Sequence, residues 1–100
     1  MVNMIVKVHN SENGTVVAVC DSDLIGKKFE EGNLQLDLTS DFYKGQEKSE
    51  KEIGDLLRNA YIINVVGKKS VELAIKEKVI DESSVKKIAN IHYSQGVIEH

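Results

Sequence analysis

The sequence predicts an α+β fold, a two-layer sandwich in which two helices cover one face of a mixed sheet of four to five strands. Apolar residues alternate or run unbroken over several short stretches, as in strands, and recur at helical spacing over two others. The predicted elements follow the order β-β-β-α-β-α-β. If both helices cover the same face of the sheet, their apolar sides and that face are buried against each other. The 100 residues are enough for one domain with its own core, so we assign residues 1–100 to a single domain.

The chain begins with a predicted hairpin of two antiparallel strands, residues 2–9 and 15–20. Val16 to Cys20 is almost entirely apolar, as expected of a strand buried on both faces. Asn13-Gly14 supplies the positive φ angles that a tight hairpin turn requires.

A third strand and the first helix follow an irregular stretch at residues 21–32. Leu34 to Thr39 alternates strictly, which predicts a strand with one face in solvent. Ser49 and Glu52 have the spacing of a capping box, and apolar residues at helical spacing then predict a helix over residues 50–60. Gly54 lies inside this helix and weakens it by about 1 kcal/mol relative to alanine.

The central unit is a strand, a glycine turn and a helix. Tyr61 to Val66 is the predicted strand, Gly67 makes the turn, and the second helix covers about residues 68–78. Residues 85–98 fit either a helical turn or an edge strand, and we favour strand.

Composition and charge exclude several classes of protein. A net charge of −3 argues against the broad nonspecific nucleic-acid binding of a strongly basic domain. No apolar run is long enough to span a bilayer, so we expect no membrane association and a cytoplasmic location. The single cysteine excludes an intrachain disulfide, and no residues have the spacing of metal ligands, so the sequence predicts neither a metal nor a cofactor.

The lysines are concentrated in three doublets. One interpretation is three separate, solvated surface corners, because lysine commonly covers surfaces. The other is that all three converge on one anion-binding face. The doublets are Lys27-Lys28, Lys68-Lys69 and Lys86-Lys87.

The first candidate site is the start of the second helix. Helix N-termini expose unpaired backbone donors and a partial positive charge, so they bind phosphate or carboxylate groups. Lys68 and Lys69, directly after Gly67, would add charge to such a site. A plain tight turn is the simpler interpretation, because one glycine is far short of a nucleotide-binding fingerprint. Asn64 interrupts the preceding apolar strand, either as a structural amide or as a ligand contact at the strand end.

Two further candidates involve cysteine and histidine. Cys20-Asp21 ends the second strand, and a nucleophilic Cys20 would need a base such as His9 or His92. A buried cysteine that only packs is the default interpretation. The segment from His92 to Gln95 is rich in hydrogen-bonding groups and contains an aromatic residue able to stack on a base.

Several of these residues together resemble an archaeal family known as domain of unknown function family 424. They are Val19-Cys20-Asp21, Leu24, Gly26, Phe29, Gly32, Leu34, Phe42-Tyr43, Gly45, Ala60, Asn64, Val66-Gly67, Val71, Ala74 and the segment from His92 to Gln95. The family pattern has proline before the histidine and glutamine two residues after it, whereas here Ile91 precedes His92 and Gln95 follows three residues later. The resemblance implies a small cytoplasmic α+β domain without established activity, associated with translation or ribosome biogenesis.

We therefore expect a non-catalytic binding module that contacts RNA or a ribosome-associated protein. Its contacts would come from Cys20, Asp21, Asn64, Gly67, Lys68, Lys69, His92 and Gln95. One alternative is a small enzyme with Cys20 as nucleophile. Another is a homo-oligomeric structural or adaptor protein, for example a dimer, whose exposed strand edge pairs with itself.

Overall fold

The computed structural model describes residues 4–98 of the chain. It contains eight strands, two α-helices and three short 3-10 turns within that range. The elements in chain order are β1 (Met4–Ser11), β2 (Gly14–Asp21), β3 (Lys28–Glu31), β4 (Leu34–Asp37), β5 (Gln46–Glu47), α1 (Glu50–Arg58), β6 (Ile62–Val66), α2 (Lys68–Lys76), β7 (Lys86–Ile88) and β8 (Ile91–Val97). The 3-10 turns are Ser22–Leu24, Asp41–Tyr43 and Glu82–Ser84.

Six strands form one mixed sheet in the order β5-β1-β2-β6-β8-β7, and β3 and β4 form a separate two-stranded sheet. β2 and β6 are parallel, and the other neighbours in the large sheet are antiparallel. The predicted mixed α+β architecture with two helices is confirmed. The predicted number of four to five strands is wrong, because the mixed sheet has six. β5 was not predicted, and β7 was not predicted as a strand separate from β8, since they have only two and three residues and are too short to show a period. The predicted strand at residues 34–39 forms β4 of the two-stranded sheet and not a strand of the mixed sheet.

The larger core lies between the helices and one face of the sheet. Alternate residues of β2 and β6 point to this face, and apolar residues from both helices pack against them. Full burial of such aliphatic side chains stabilises the fold by about 1.5–3 kcal/mol each. The central members are Val17, Val19, Ile63, Val65, Ile53, Leu57, Val71 and Ala74.

A second core lies on the opposite face of the sheet, at one end. The β3–β4 hairpin and the turn at Asp41–Tyr43 cover Cys20 and Val66 there, and Leu38 is fully buried between them. This hairpin is a third layer, so the predicted two-layer sandwich is incomplete. β3 was not predicted, because its sequence Lys-Phe-Glu-Glu has only one apolar residue.

The remaining predicted elements agree with the structure. The first hairpin is confirmed from Met4 onward, and residues 2 and 3 lie outside the described part of the chain. Both helices are present and somewhat shorter than predicted. Residues 85–98 contain two strands, β7 and β8, as favoured. Within residues 4–98, no helix combines the length and the apolar character that crossing a bilayer requires.

Candidate functional site

The start of α2 is occupied by a carboxylate of the chain itself. β2 and β6 are parallel neighbours, so their carboxyl ends place Asp21 beside Gly67. The Asp21 carboxylate accepts hydrogen bonds from the backbone N–H of Lys69 at 3.1 Å, the backbone N–H of Ser70 at 2.8 Å and the Ser70 hydroxyl at 2.7 Å. Asp21 therefore caps the helix across a separation of nearly fifty residues.

Gly67 is required at this junction for two reasons. Its φ of 103° lies in a region that side chains disfavour. A Cβ on Gly67 would also lie 2.3 Å from Cγ of Asp21, so any side chain would displace the carboxylate. The Gly67 N–H donates to the His92 carbonyl at 2.7 Å. The predicted anion site on the α2 donors is wrong, because an internal acid fills it.

Cys20 lies in the second core and cannot act as an exposed nucleophile. Its side chain is fully buried, and its thiol donates a hydrogen bond to the Asp21 carbonyl at 3.3 Å. Burial, together with the nearby negative charges of Asp21 and Asp23, raises the pKa of the Cys20 thiol to about 12. A thiol with this pKa is almost entirely protonated at neutral pH, so the reactive thiolate is missing.

His92 lies beside Lys68 in a cleft of about 260 Å³ at the carboxyl ends of β2 and β6. The same cleft is lined by Asp21 and Asp23, so it contains acidic as well as basic groups. The structure thus brings together Asp21, Gly67, Lys68 and His92, four of the predicted site residues. The cleft is lined by two carboxylates and one lysine ammonium, so its charge does not favour an anion.

The three lysine doublets do not all lie on one face of the molecule. Lys86 and Lys87 are consecutive residues of β7, paired with Tyr93 and His92 respectively. Side chains alternate along a strand, so these two lysines point to opposite faces of the sheet. Lys28 lies on the β3–β4 hairpin and forms an exposed ion pair with Glu30 at 3.5 Å. Convergence of all three complete doublets on one face is therefore wrong.

The other two predicted residues, Asn64 and Gln95, are direct neighbours. They are paired across β6 and β8, on the face opposite the helices, and Asn64 is also paired with Ala18 of β2. Ala18 is paired in turn with Lys7 of β1, so one row of side chains crosses four strands. Gln95 is exposed and Asn64 half-buried. Among residues 4–98, neither side-chain amide has a hydrogen-bond partner.

An aromatic pair flanks this row. The His9 ring stacks on Phe42 with centroids 4.6 Å apart and an interplanar angle of 10°. Nε2 of His9 donates to the Phe42 carbonyl at 3.0 Å, which fixes the two rings together. Phe42 remains 36% exposed and meets Tyr43 edge to face. We call the surface formed by Lys7, His9, Phe42, Asn64 and Gln95 the amide face.

Sequence reasoning missed part of the amide face. Lys7 and Phe42 were not predicted as site residues, and His9 was considered only as a base for Cys20. The alternation of β1 could have placed Lys7 and His9 together, opposite the apolar Val6 and Val8. Their approach to Asn64 depends on the order of the strands, which no local pattern contains.

Comparisons with known proteins agree with the resemblance. The family model "Protein of unknown function (DUF424)" matches residues 8–98. The chain is similar to a solved crystal structure, an uncharacterized conserved protein from Methanopyrus kandleri, with 19% identity and a TM-score of 0.81 over 93% of this chain and 89% of that chain. At this identity the similarity supports the fold alone. A search of curated proteins gives no match. Because the family model covers most of its length, the chain belongs to the DUF424 family.

Proposed function

We propose that this chain is a non-catalytic binding module that holds a short stretch of single-stranded RNA on its amide face. The observation that carries the proposal is the adjacent pair of amides, Asn64 and Gln95, which have no partner among the described residues. An amide presents a donor and an acceptor together, so it can pair with the edge of an unstacked base.

The groups around the amides supply the other contacts that RNA needs. Exposed aromatic side chains stack on bases, and Phe42 is an exposed ring backed by His9. Lys7, in the same row as the amides, forms no ion pair with a described residue and is available to a phosphate. Groups for base edges, a stacking ring and a lysine for phosphate thus lie on the same face of the sheet.

The net charge of −3 limits how such a module binds. Few phosphates can be neutralised, so most of the affinity would come from stacking and hydrogen bonds to bases. Each phosphate contact lowers log K by about 0.7 per decade of salt for single strands, so we expect a slope of roughly −0.7 to −1.4. The expected association with translation or ribosome biogenesis makes unpaired ribosomal RNA segments the first RNA to test.

The test is fluorescence anisotropy with labelled eight-nucleotide RNAs taken from unpaired ribosomal RNA segments, across a salt series. Asn64→Asp and Gln95→Glu keep the size of each side chain but remove its donors and add a negative charge. We expect each to weaken binding at least tenfold, because a base then loses a donor and nearby phosphates are repelled. The matched control is Gln35→Glu, which makes the same change at an exposed position on the β3–β4 hairpin.

Two results would contradict the proposal. One is the absence of binding to any of the RNAs at protein concentrations up to about 1 mM, the weak end of the ordinary affinity range. The other is binding that Asn64→Asp and Gln95→Glu leave as strong as in the Gln35→Glu control.

A homodimer through the same face is the second candidate. The next row of the sheet brings together Val16, Ile62 and Val97, and Val97 is 60% exposed. An exposed apolar row of this kind suits a partner surface. Sedimentation would distinguish the two functions, since a dimer requires a concentration-dependent mass that Val97→Glu abolishes.

A further inference from the structure

The outer edge of β1 is open over most of its length. β5 pairs with β1 only at Ile5 and Val6. Gly45 then brings the chain against β1, since a Cβ there would lie 2.0 Å from the Val6 carbonyl oxygen. Among residues 4–98, β1 has a strand neighbour on one side only from Lys7 to Ser11, namely β2. An open edge offers unpaired N–H and C=O groups to another extended chain.

The register shows which backbone groups face outward. Ser11 and Gly14 flank the two-residue turn of the hairpin, so they form a hydrogen-bonded pair, and such pairs alternate along antiparallel strands. Thr15 agrees with this assignment, because its carbonyl accepts from the Tyr61 N–H on the far side of β2. Val8 and Asn10 therefore direct their N–H and C=O groups away from β2, toward solvent.

A groove of about 450 Å³ lies along this edge, and the described charged residues that line it are all basic. Lys7, Lys44 and Lys48 line it with Val6 and Val8, and no acidic residue of the described part of the chain does. Val8 is 40% exposed. Lys44 pairs with Asp41 at 3.5 Å in an exposed pair, and Lys48 pairs with Glu52 at 3.8 Å in a partly exposed one. Exposed pairs contribute little, so both lysines can turn toward a new anion.

We propose that the open edge of β1 binds an acidic peptide segment of a protein partner, which adds to the large sheet as an extra strand. Backbone hydrogen bonds at Val8 and Asn10 would hold the segment, as in other complexes formed by strand addition. The three lysines would pair with its carboxylates and favour acidic sequences. A second copy of this chain is a poor occupant, because pairing β1 with itself would bring two sets of these lysines together.

The probe is a capped eight-residue peptide that repeats glutamate and threonine four times, with the lysine–threonine peptide as the charge-reversed control. Binding is followed by the backbone amide resonances of the isotope-labelled protein. We expect the acidic peptide to shift the amides of residues 6–10 and the basic peptide to shift none of them.

Two variants test the contacts separately from the amide face. Val8→Pro removes an outward N–H without touching the β1–β2 ladder, as edge prolines do, and we expect at least a tenfold loss of affinity. Lys44→Gln with Lys48→Gln should weaken binding about fivefold, the effect of two exposed ion pairs. Lys27→Gln is the matched control, an exposed lysine outside the groove. An unchanged amide spectrum outside β1 verifies the fold of Val8→Pro.

Three results would overturn the proposal: no peptide binding, shifts confined to another surface, or equal affinity in wild type and Val8→Pro. A homodimer that Val8→Pro dissociates would also overturn it, since the edge would then belong to a second copy. RNA binding is measured independently, and Lys44→Gln with Lys48→Gln should leave it unchanged, so either proposal can fail without the other.

Discussion

At the scale of single residues, Gly67 and Asp21 determine how the central strand is joined to its helix. We expect Gly67→Ala to lower the free energy of unfolding by about 2–4 kcal/mol, from strain at a positive φ and from displacement of the carboxylate that caps two backbone donors. The measurement is urea denaturation.

Gly32→Ala is the matched control for this prediction. Gly32 also has a positive φ, 58°, but no atom of the described residues lies within 4 Å of its added Cβ. Gly32→Ala should therefore lower the free energy of unfolding only by the backbone strain, about 1 kcal/mol. Equal losses in the two variants would show that the Asp21 contact contributes nothing.

Cys20 is a second residue whose surroundings determine its chemistry. Because burial raises the pKa of its thiol to about 12, iodoacetamide should modify the folded protein at pH 8 far more slowly than the urea-unfolded protein. The unfolded thiol ionises near 9.0, so the free energy of unfolding should fall as the pH rises from 9.0 toward 12. Mass spectrometry of the alkylated fraction is the measurement. Equally fast modification of folded and unfolded protein would contradict the assigned burial.

At the scale of elements, Gly54 in α1 is explained by its neighbour in space. Arg58 pairs with Asp55 of the same helix and with Glu77, directly after α2. A Cβ on Gly54 would lie 2.8 Å from Oε2 of Glu77, so the glycine lets Glu77 reach Arg58 across α1. The lower helix propensity of glycine is thus partly offset by an ion pair between the two helices.

This arrangement predicts a non-additive pair of substitutions. Gly54→Ala alone should change the free energy of unfolding by less than about 1 kcal/mol, because the gain in helix propensity is offset by the disturbed ion pair. In a Glu77→Ala background the same change should stabilise the protein by about 1 kcal/mol, since nothing then opposes the new methyl group. A double-mutant cycle in urea measures this coupling. Additive effects would mean that Glu77 does not restrict position 54.

Local patterns predicted the elements that carry their own signals. The Ser49–Glu52 capping box forms as expected, and α1 begins at Glu50. The sequence pattern of the β7–β8 hairpin is ambiguous because its turn is Ala89–Asn90, two non-glycine residues at positive φ, instead of Asn-Gly. The candidate site could be predicted only in part. Asp21 and Gly67 were recognised separately, but a contact between residues so far apart in sequence follows from strand order.

At the scale of the whole molecule, β2 and β6 belong to both cores. Their alternate residues pack against the helices on one face and against the β3–β4 hairpin on the other. Neither core can therefore lose its packing without disturbing the same two strands. The hairpin contributes Leu38 to the second core, and its Glu31 side chain accepts from the Ala89 N–H at 2.9 Å, which ties it to the β7–β8 turn. The three layers should form one cooperative unit.

Cooperativity can be tested with one buried leucine from each core. Leu38→Ala and Leu57→Ala remove fully buried side chains on opposite faces, and each should lower the free energy of unfolding by about 2–5 kcal/mol. Tyrosine fluorescence reports mainly on the second core, where Tyr43 and Tyr93 pack, and far-ultraviolet circular dichroism reports on the whole backbone. If the cores are coupled, both signals shift together in both variants, with an unchanged denaturant slope. Loss of the tyrosine signal at lower urea than the dichroism in Leu38→Ala would show that the hairpin layer unfolds independently of the sheet it covers.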